Sequence, residues 1–392
     1  MESHEKHLER FNPRKLRILY QTVFFLAVAT ALTVYLQSSF LKDLVGEQFV
    51  GLFFALASGL TLLAIFIFPK IVIKFGKNNV ILVSLALTSL SLVGLSFGGT
   101  FVKLISFLLY NVMLSLVGVS LDIFIESFSK DAATGRIRGM AYTSGNIAWV
   151  LTPIAAGALA SFFGFSFIFL LASLIFLPFI IIFRRTFTGE KDNFNHPPAA
   201  LVIIKNIFSS SALRRVFSIS FLLAFFYSWM VIYMPLHLRD LGFEWWEIGK
   251  IFSVMLLPFL LLEYPAGFIA DRWLGEKELI VIGLLVMSIS TIGVFFFEGT
   301  GILAWMGLLF ATRVGAALVE IMRDAYFFKQ IDLRDVHLIS FFRNTGPLAY
   351  VISPILATML LAFGISLPAL FLILGCIVLL GLSPALTLKD TK

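Results

Sequence analysis

Apolar residues fill twelve windows of the chain, each about 20 residues long or more, the length a helix needs to cross the roughly 30 Å hydrocarbon core of a bilayer. Short stretches that contain the charged residues and many of the glycines separate these windows. The pattern predicts an all-α membrane protein with twelve transmembrane helices. The predicted segments cover residues 17–41, 48–69, 79–98, 101–127, 138–162, 165–184, 215–238, 247–270, 278–297, 301–327, 337–362 and 365–387.

The two halves of the chain repeat each other. The polar stretch 185–214 is the one long connection, and it separates six predicted helices in residues 1–184 from six in residues 215–392. Matching residues recur at an offset of 198 (Tyr35 and Tyr233, Gly51 and Gly249, Asp122 and Glu320, Glu126 and Asp324) or 201 (Pro153 and Pro354). This repetition predicts two related six-helix bundles, joined by a cytoplasmic linker at 185–214, with a cavity between them.

Composition agrees with a membrane protein, because 59% of the residues are hydrophobic, 14% are charged and the mean hydropathy is +0.97. Of the 30 Lys and Arg residues, 24 fall on alternate connections that begin with the N-terminus. Basic residues resist translocation, so both termini are predicted to be cytoplasmic in an integral plasma (inner) membrane protein. The net charge of +7 reflects this bias and requires no nucleic-acid partner.

The connection after the eighth segment contains "GFIADRWLGEKE", from Gly267 to Glu278, which resembles the G-x-x-x-D-R-x-G-R-K loop of the major facilitator superfamily with one extra residue. The matching first-half loop, "PKIVIKFGKN", keeps Lys74, Gly76 and Lys77 but has Ile73 in place of the aspartate. The resemblance implies a twelve-helix transporter whose first, fourth, seventh and tenth helices line a central cavity.

The fifth segment has a weaker resemblance, to the G-x8-G-x3-G-P-x-x-G-G pattern of proton-coupled drug antiporters in that superfamily. Three of the five glycines are replaced, and the arginine that the antiporters carry on the fourth helix is Leu114 here. The alternative interpretation is ordinary close packing between membrane helices around a proline bend. The residues that carry the pattern are Gly139, Ala148, Thr152, Pro153, Ala156 and Gly157.

Two segments carry polar stripes, and lipid cannot satisfy such side chains, so each stripe is expected to face water or protein. Helical spacing places the members of each stripe on one face. The tenth segment has Arg313, Ala317, Glu320 and Asp324, and the fourth has Asn111, Ser115, Gly118, Asp122 and Glu126.

Two roles compete for the four carboxylates of these stripes. The first is a cytoplasmic gate, in which acidic side chains pair with basic residues of the neighbouring loops. The second is proton transfer by one carboxylate that loses water when the cavity closes. The predicted gate network comprises Lys74, Lys77, Glu126, Arg138, Asp271, Arg272, Asp324 and Arg343, and the proton candidates are Glu263, Glu320 and Asp122.

Charges that break the repeat are the better candidates for substrate or proton binding, since a gate needs symmetry and a substrate does not. Arg313 corresponds to Ser115, and it either pairs with Glu320 or contacts a ligand. Glu263 corresponds to Ile65 and is the first choice for a proton site outside the repeated network. An interfacial or packing role is the alternative for the tyrosines among the substrate-binding candidates, which are Arg313, Asn111, Ser115, Tyr35, Tyr227 and Tyr233.

The sequence has no G-x-x-x-x-G-K-[ST] loop and no hydrolase constellation, and its five histidines and Cys376 have no metal-ligand spacing outside the N-terminal His4 and His7. We therefore expect no enzyme activity, cofactor or metal, and a monomer whose partners are a small solute, protons or another ion, and the bilayer. Proton-coupled efflux of amphipathic or hydrophobic compounds is the leading hypothesis. The alternatives are proton-coupled uptake of a polar or anionic solute, and a sensor or lipid scramblase of the same fold.

Overall fold

The computed structural model describes residues 13–127, 134–187, 210–297, 301–330, 342 and 345–389. Every regular element within these ranges is an α-helix, which confirms the predicted fold class. Eleven of these helices are long and apolar enough to cross a membrane.

The first half contains six spans, of which the fifth and sixth form one continuous helical stretch. That stretch has 53 residues, about 80 Å at 1.5 Å per residue, and Gly164 breaks it with a φ of 74°. Because this length is more than twice that of one membrane crossing, it supplies two spans. The helices are Pro13–Val34 with Gln37–Val45 (span 1), Glu47–Phe75 (span 2), Lys77–Phe97 (span 3), Thr100–Ser127 (span 4) and Thr134–Thr186 (spans 5 and 6).

The second half supplies six more spans, so the structure agrees with the predicted twelve. Span 8 is broken at Leu262, and span 12 is broken near Leu380. The helices are Ser211–Asp240 (span 7), Trp245–Leu261 with Glu263–Arg272 (span 8), Glu276–Phe296 (span 9), Ile302–Gln330 (span 10), Thr345–Ala362 (span 11) and Leu367–Leu379 with Leu382–Leu386 (span 12).

An even number of spans returns the chain to the side where it began. We call the side with the first and last described residues and the turns at Gly76 and Gly275 the terminal face, and the opposite side the loop face. Gly76 and Gly275 have φ values of 80° and 101°, a conformation that suits only glycine, and each starts a new helix directly. The repeated loop pattern therefore encodes two tight turns at equivalent places in the two halves.

Two crossings near the loop face join the halves, and each is built from a repeated glycine and a repeated proline. A Cβ on Gly249 of span 8 would lie 2.4 Å from the carbonyl oxygen of Pro153, and one on Gly51 of span 2 would lie 2.7 Å from that of Pro354. Gly157 also contacts Gly249 backbone to backbone. The small residues of span 5 thus pack against span 8, which is the packing role that sequence reasoning offered for them.

Candidate functional site

Span 10 carries Arg313, a charged side chain that lies inside the protein and away from the side of the helix that packs on span 9. Gly315 lies against the backbone of Gly283 and Met287, so span 9 packs closely on that side. Arg313 is two residues earlier, about 200° around the helix, and its side chain therefore extends away from span 9. Only 2% of Arg313 is exposed.

Aromatic rings of span 7 cover one side of Arg313. Its guanidinium carbon lies 5.2 Å from the ring centroid of Phe226 and 5.1 Å from that of Tyr227, within the range of cation–π attraction. The two centroids are only 5.7 Å apart, so both rings stand on the same side of the guanidinium.

Arg313 has no ion pair among the side chains that the structure describes, and its Nε lies buried without a hydrogen-bond partner. No direct ion pair within 4 Å joins Arg313 to Glu320. Glu320 instead accepts a hydrogen bond of 2.5 Å from the hydroxyl of Tyr227. The ring of Tyr227 thus stands between the two charges, one bound by its face and the other by its hydroxyl.

One turn beyond Glu320, Arg323 and Asp324 satisfy each other. Their side chains form an ion pair of 2.7 Å, and Arg323 also donates to Ser220 of span 7 at 3.1 Å. Ser220 in turn shares a hydrogen bond of 2.8 Å with Thr345 of span 11. Asp324 therefore belongs to a network within the second half.

Two tyrosines on other spans lie near enough to Arg313 to interact with its charge. Tyr35 of span 1 and Tyr350 of span 11 are within electrostatic range of Arg313 and of each other. Tyr35 also packs on Phe252 and Trp149, with ring centroids 4.6 and 6.5 Å away. Sequence reasoning did not identify Tyr350, although the 201 offset that links Pro153 to Pro354 also links Trp149 to Tyr350.

Other predicted binding residues lie elsewhere. Tyr233 is fully buried, and its hydroxyl lies where a Cβ on Gly51 would be, so it belongs to the crossing of spans 2, 7 and 11 and not to the Arg313 site. Asn111 and Ser115 donate to carbonyl oxygens of their own helix, at 2.9 and 3.0 Å. Asp122 is half-buried on the same helix.

The structure does not bring Glu263 to Arg313. Glu263 is exposed at the break in span 8, next to Tyr264, which is 82% exposed. The break follows Pro258 and precedes Pro265, each of which removes one backbone donor from the helix. Of the proton candidates on the second half, Glu320 is therefore the one that neighbours the buried arginine.

Among the side chains that the structure describes, no ion pair joins the predicted gate residues Asp271, Arg272 and Asp324 to one another. Asp271 and Arg272 are exposed, and Arg272 packs on Phe268 with its guanidinium carbon 4.5 Å from the ring centroid. Lys74 and Lys77 lie over the rings of Phe75 and Phe124. The side chains of Glu126 and Arg138, and the whole of Arg343, lie outside the part of the chain that the structure describes.

An ion pair joins the halves at the loop face, where sequence reasoning proposed none. Lys42 of span 1 lies 2.8 Å from Asp240 of span 7 and 2.6 Å from Glu47 of span 2. We call these three residues the loop-face latch. Lys42 and Asp240 are separated by 198 residues, the repeat offset itself, which could have suggested their approach across the pseudo-twofold axis.

The latch is partly exposed, so it is expected to contribute only about 0–1 kcal/mol to closure of the loop face. Replacing Lys42 by alanine should therefore increase the ratio of open to closed loop face by less than about tenfold, and high salt should reduce the difference between the variant and the native protein. Spin-label distance distributions across the loop face would measure this. Complete opening of the face in Lys42→Ala would contradict the small contribution.

Comparison with known proteins gives one family and one fold. The sequence pattern of the Major Facilitator Superfamily matches residues 19–331. A crystal structure of a mutant of the peptide transporter POT in complex with alafosfalin is similar with a TM-score of 0.73 and 13% identity, over 97% of this chain and 96% of that chain. An in meso crystal structure of the POT family transporter PepTSo gives 0.74 and 12%, over 96% and 97%.

Proposed function

This chain is a member of the Major Facilitator Superfamily, and from that premise we propose that it transports a small amphipathic solute by alternating access, coupled to the movement of protons. The observation that carries the proposal is the position of Arg313 and Glu320, which lie seven residues apart on span 10 with the ring and hydroxyl of Tyr227 between them. Arg313 would contact the solute, and Glu320 would carry the proton.

The hydrogen bond from Tyr227 supports this role for Glu320. A coupling carboxylate must be charged while it faces water and neutral while the site is closed, so its surroundings have to differ between the two states. Glu320 is half-buried and approached by one hydroxyl and no cation within 4 Å among the described side chains. A carboxylate in such a place releases or accepts a proton when span 7 moves relative to span 10.

Alternating access also requires a second closed state, and the gate network is proposed to form there. In the present conformation the crossings and the latch close the loop face. When the terminal face closes instead, Asp271, Arg272 and Asp324 of the second half would approach Arg343. In the first half, Lys74 and Lys77 would approach Glu126 and Arg138 at the equivalent positions.

Purified protein in liposomes with an internal pH dye would test the function. Addition of a solute from a panel of aromatic carboxylates, short peptides and cationic drugs should produce a proton flux that protein-free liposomes lack. Solute binding without proton movement would support the alternative of a sensor, and loss of lipid asymmetry in the same vesicles would support a scramblase.

Efflux of amphipathic or hydrophobic compounds is the second candidate, favoured by the aromatic side chains around Tyr35. Phe252 and Trp149 contact this tyrosine, and Phe259 lies 6.3 Å from Tyr227 between ring centroids. The similar structures are described as peptide transporters. Peptides combine apolar side chains with a carboxylate, so they would suit both the aromatic side chains and the charge of Arg313. The direction in which solute moves in an imposed pH gradient distinguishes uptake from efflux. Symport carries the solute with the proton, and antiport carries it in the opposite direction.

We propose that the terminal face lies in the cytoplasm, as the distribution of basic residues favours. Lys74 is exposed on that face. A cysteine at position 74, in a background where the exposed Cys376 is replaced by serine, should be labelled by an impermeant maleimide only after intact cells are opened. A cysteine at position 244 on the loop face is the control that should react in intact cells, and equal labelling of both would reverse the topology.

A further inference from the structure

We propose that His237, near the loop-face end of span 7, is a second proton-binding site, and that its protonation opens the loop face. His237 is three residues, about 5 Å, from the end of span 7, whereas Glu320 is 18 residues, about 27 Å, from the loop-face end of span 10. The proposal rests on the proposed function only in assigning this proton to a transport cycle, because opening of the loop face can be measured without any solute.

Aromatic rings of two other spans enclose His237. The centroid of its ring lies 5.5 Å from that of Trp305 on span 10 and 5.5 Å from that of Phe371 on span 12. Only 2% of His237 is exposed, and both aromatic residues are fully buried. We call the space between these two rings the histidine slot. It fastens the end of span 7 to the starts of spans 10 and 12.

The histidine slot suits a neutral imidazole and not an imidazolium. Among the described residues, the Nε2 of His237 and the Nε1 of Trp305 are buried without a hydrogen-bond partner. An indole N–H only donates, and an imidazolium needs an acceptor for each of its two N–H groups. Span 12 has no charged residue, and Arg313, the first charge of span 10, is eight residues beyond Trp305. The charged form is therefore strongly disfavoured in the slot, and attraction to the ring faces offsets only part of that cost.

The end of span 7 has a place to bend, because Pro235 lies two residues before His237. Proline has no N–H for the carbonyl oxygen one turn earlier, so the helix is weakened there. At the offset of 198, Pro235 corresponds to Gln37, where the first half starts the separate helix Gln37–Val45. Bending at Pro235 would give the second half the same division and withdraw His237 from the slot.

The charged groups near His237 lie at the loop-face end of span 7. Asp240 is three residues later on the same helix, a spacing at which side chains are neighbours, and its carboxylate binds Lys42 at 2.8 Å. Glu47 completes the latch, and Arg239 donates to a loop carbonyl oxygen at 2.7 Å. The side chain of Asp240 is 45% exposed, so water reaches this end of the span. An imidazolium that leaves the slot would be attracted to Asp240 and would compete with Lys42 for it.

The repeat indicates that packing alone does not require a histidine at this place. At the offset of 198, Trp305 corresponds to Phe107, which is also fully buried, whereas His237 corresponds to Ser39. The first half thus keeps the aromatic ring and lacks the titratable group. Imidazole is the side chain whose charge ordinarily changes between pH 5 and 8, so only the second half acquires a response to pH here.

Spin-label distances between positions 43 and 244, on full-length protein in nanodiscs without solute, test the site. Cys376 is replaced by serine so that only the introduced cysteines react. An imidazole in water is half-protonated near about pH 6.5, so the ratio of open to closed loop face should rise about tenfold between about pH 7.5 and 5.5. Glu320→Gln removes the proton carrier of the proposed function and should keep this rise.

Histidine variants assign the response. His237→Gln keeps a polar side chain that cannot gain a charge, and it should abolish the rise. His237→Phe fills the slot with a third ring and should keep the loop face closed at both pH values. The matched control replaces the other four histidines together by glutamine and should keep the tenfold rise. His237 is then the only histidine, so nuclear magnetic resonance of its imidazole nitrogens reads its protonation directly. The four are His4, His7, His196 and His337.

Each result decides the inference. No rise in the native protein, an equal rise in His237→Gln, or a neutral imidazole at position 237 in protein whose loop face has opened at the lower pH would overturn it. A rise that disappears in Glu320→Gln would also overturn it and assign the pH response to Glu320. A rise that depends on His237 without solute-coupled proton flux in liposomes would support the site and reject the proposed transport.

Discussion

Replacing Glu320 by glutamine is expected to reduce gradient-driven solute accumulation to the level of protein-free liposomes, while exchange of labelled for unlabelled solute without a gradient survives. Glutamine has the size of glutamate, and its carbonyl oxygen can still accept the hydrogen bond that Tyr227 donates. The geometry of the site is therefore retained, and only the capacity to bind and release a proton is lost. Parallel accumulation and exchange assays on one reconstituted sample would measure both.

Two further variants give this experiment its controls. Asp43→Asn removes a carboxylate from an exposed position on the loop face and should leave both activities intact. Glu263→Gln tests the other sequence-derived proton candidate, and because Glu263 is exposed and apart from Arg313, this variant is expected to keep accumulation. Full accumulation in both Glu320→Gln and Glu263→Gln would reject a proton-carrying role for either residue and leave these charges to the structural network.

The fold was largely predictable because each membrane span requires an apolar segment of a minimum length, which can be counted in the sequence. About 20 apolar residues are needed whatever the tertiary contacts, so eleven helices and the break at Gly164 were found where the apolar windows lie. The repeated glycines and prolines were also informative, since close backbone approach at Gly51 and Gly249 permits no side chain. These features depend on local chemistry and on the repeat.

The site was less predictable because pairing depends on which side chains meet across different helices. Periodicity placed Arg313 and Glu320 on one face, and both contact Tyr227, but periodicity could not show that this side chain lies between them. The same uncertainty left Tyr233 between a cavity-lining role and a packing role, and its hydroxyl fills the space that Gly51 leaves. Gate residues are harder still, because their partners differ between the conformations that the transport cycle requires.

Two kinds of contact join the halves at the loop face, namely the ion pairs of the latch and the glycine–proline crossings, and they are expected to contribute unequally to its closure. Exposed ion pairs contribute little, so the latch at Lys42 serves mainly to orient the ends of spans 1 and 7. The crossings bury backbone against backbone, and Gly157 meets both Trp245 and Gly249 there. Packing at these two points, repeated by the pseudo-symmetry, is therefore expected to dominate the energy of closure.

Gly249→Ala should consequently open the loop face far more than loss of the latch. The new methyl group would lie 2.4 Å from the carbonyl oxygen of Pro153 and 3.1 Å from the Cα of Gly157, and neither is a flexible side-chain end, so spans 5 and 8 have to separate. Overpacking of this kind costs roughly 1–3 kcal/mol, which corresponds to a shift of about 5-fold to 150-fold in the balance between the two closed states.

Spin labels at positions 43 and 244 on the loop face, and at 74 and 272 on the terminal face, would report the shift in Gly249→Ala. The first distance should lengthen and the second should shorten, because a transporter that opens on one face closes on the other. Gly267→Ala, on the same span but with no neighbouring atom within 4 Å of the added carbon, is the matched control and should leave both distances unchanged.

Gly51→Ala should reproduce the effect at the other crossing, where the added carbon would meet Tyr233, Thr358 and Pro354. Unchanged distances in both crossing variants would mean that the helices absorb the methyl groups locally, and closure of the loop face would then have to depend on other contacts.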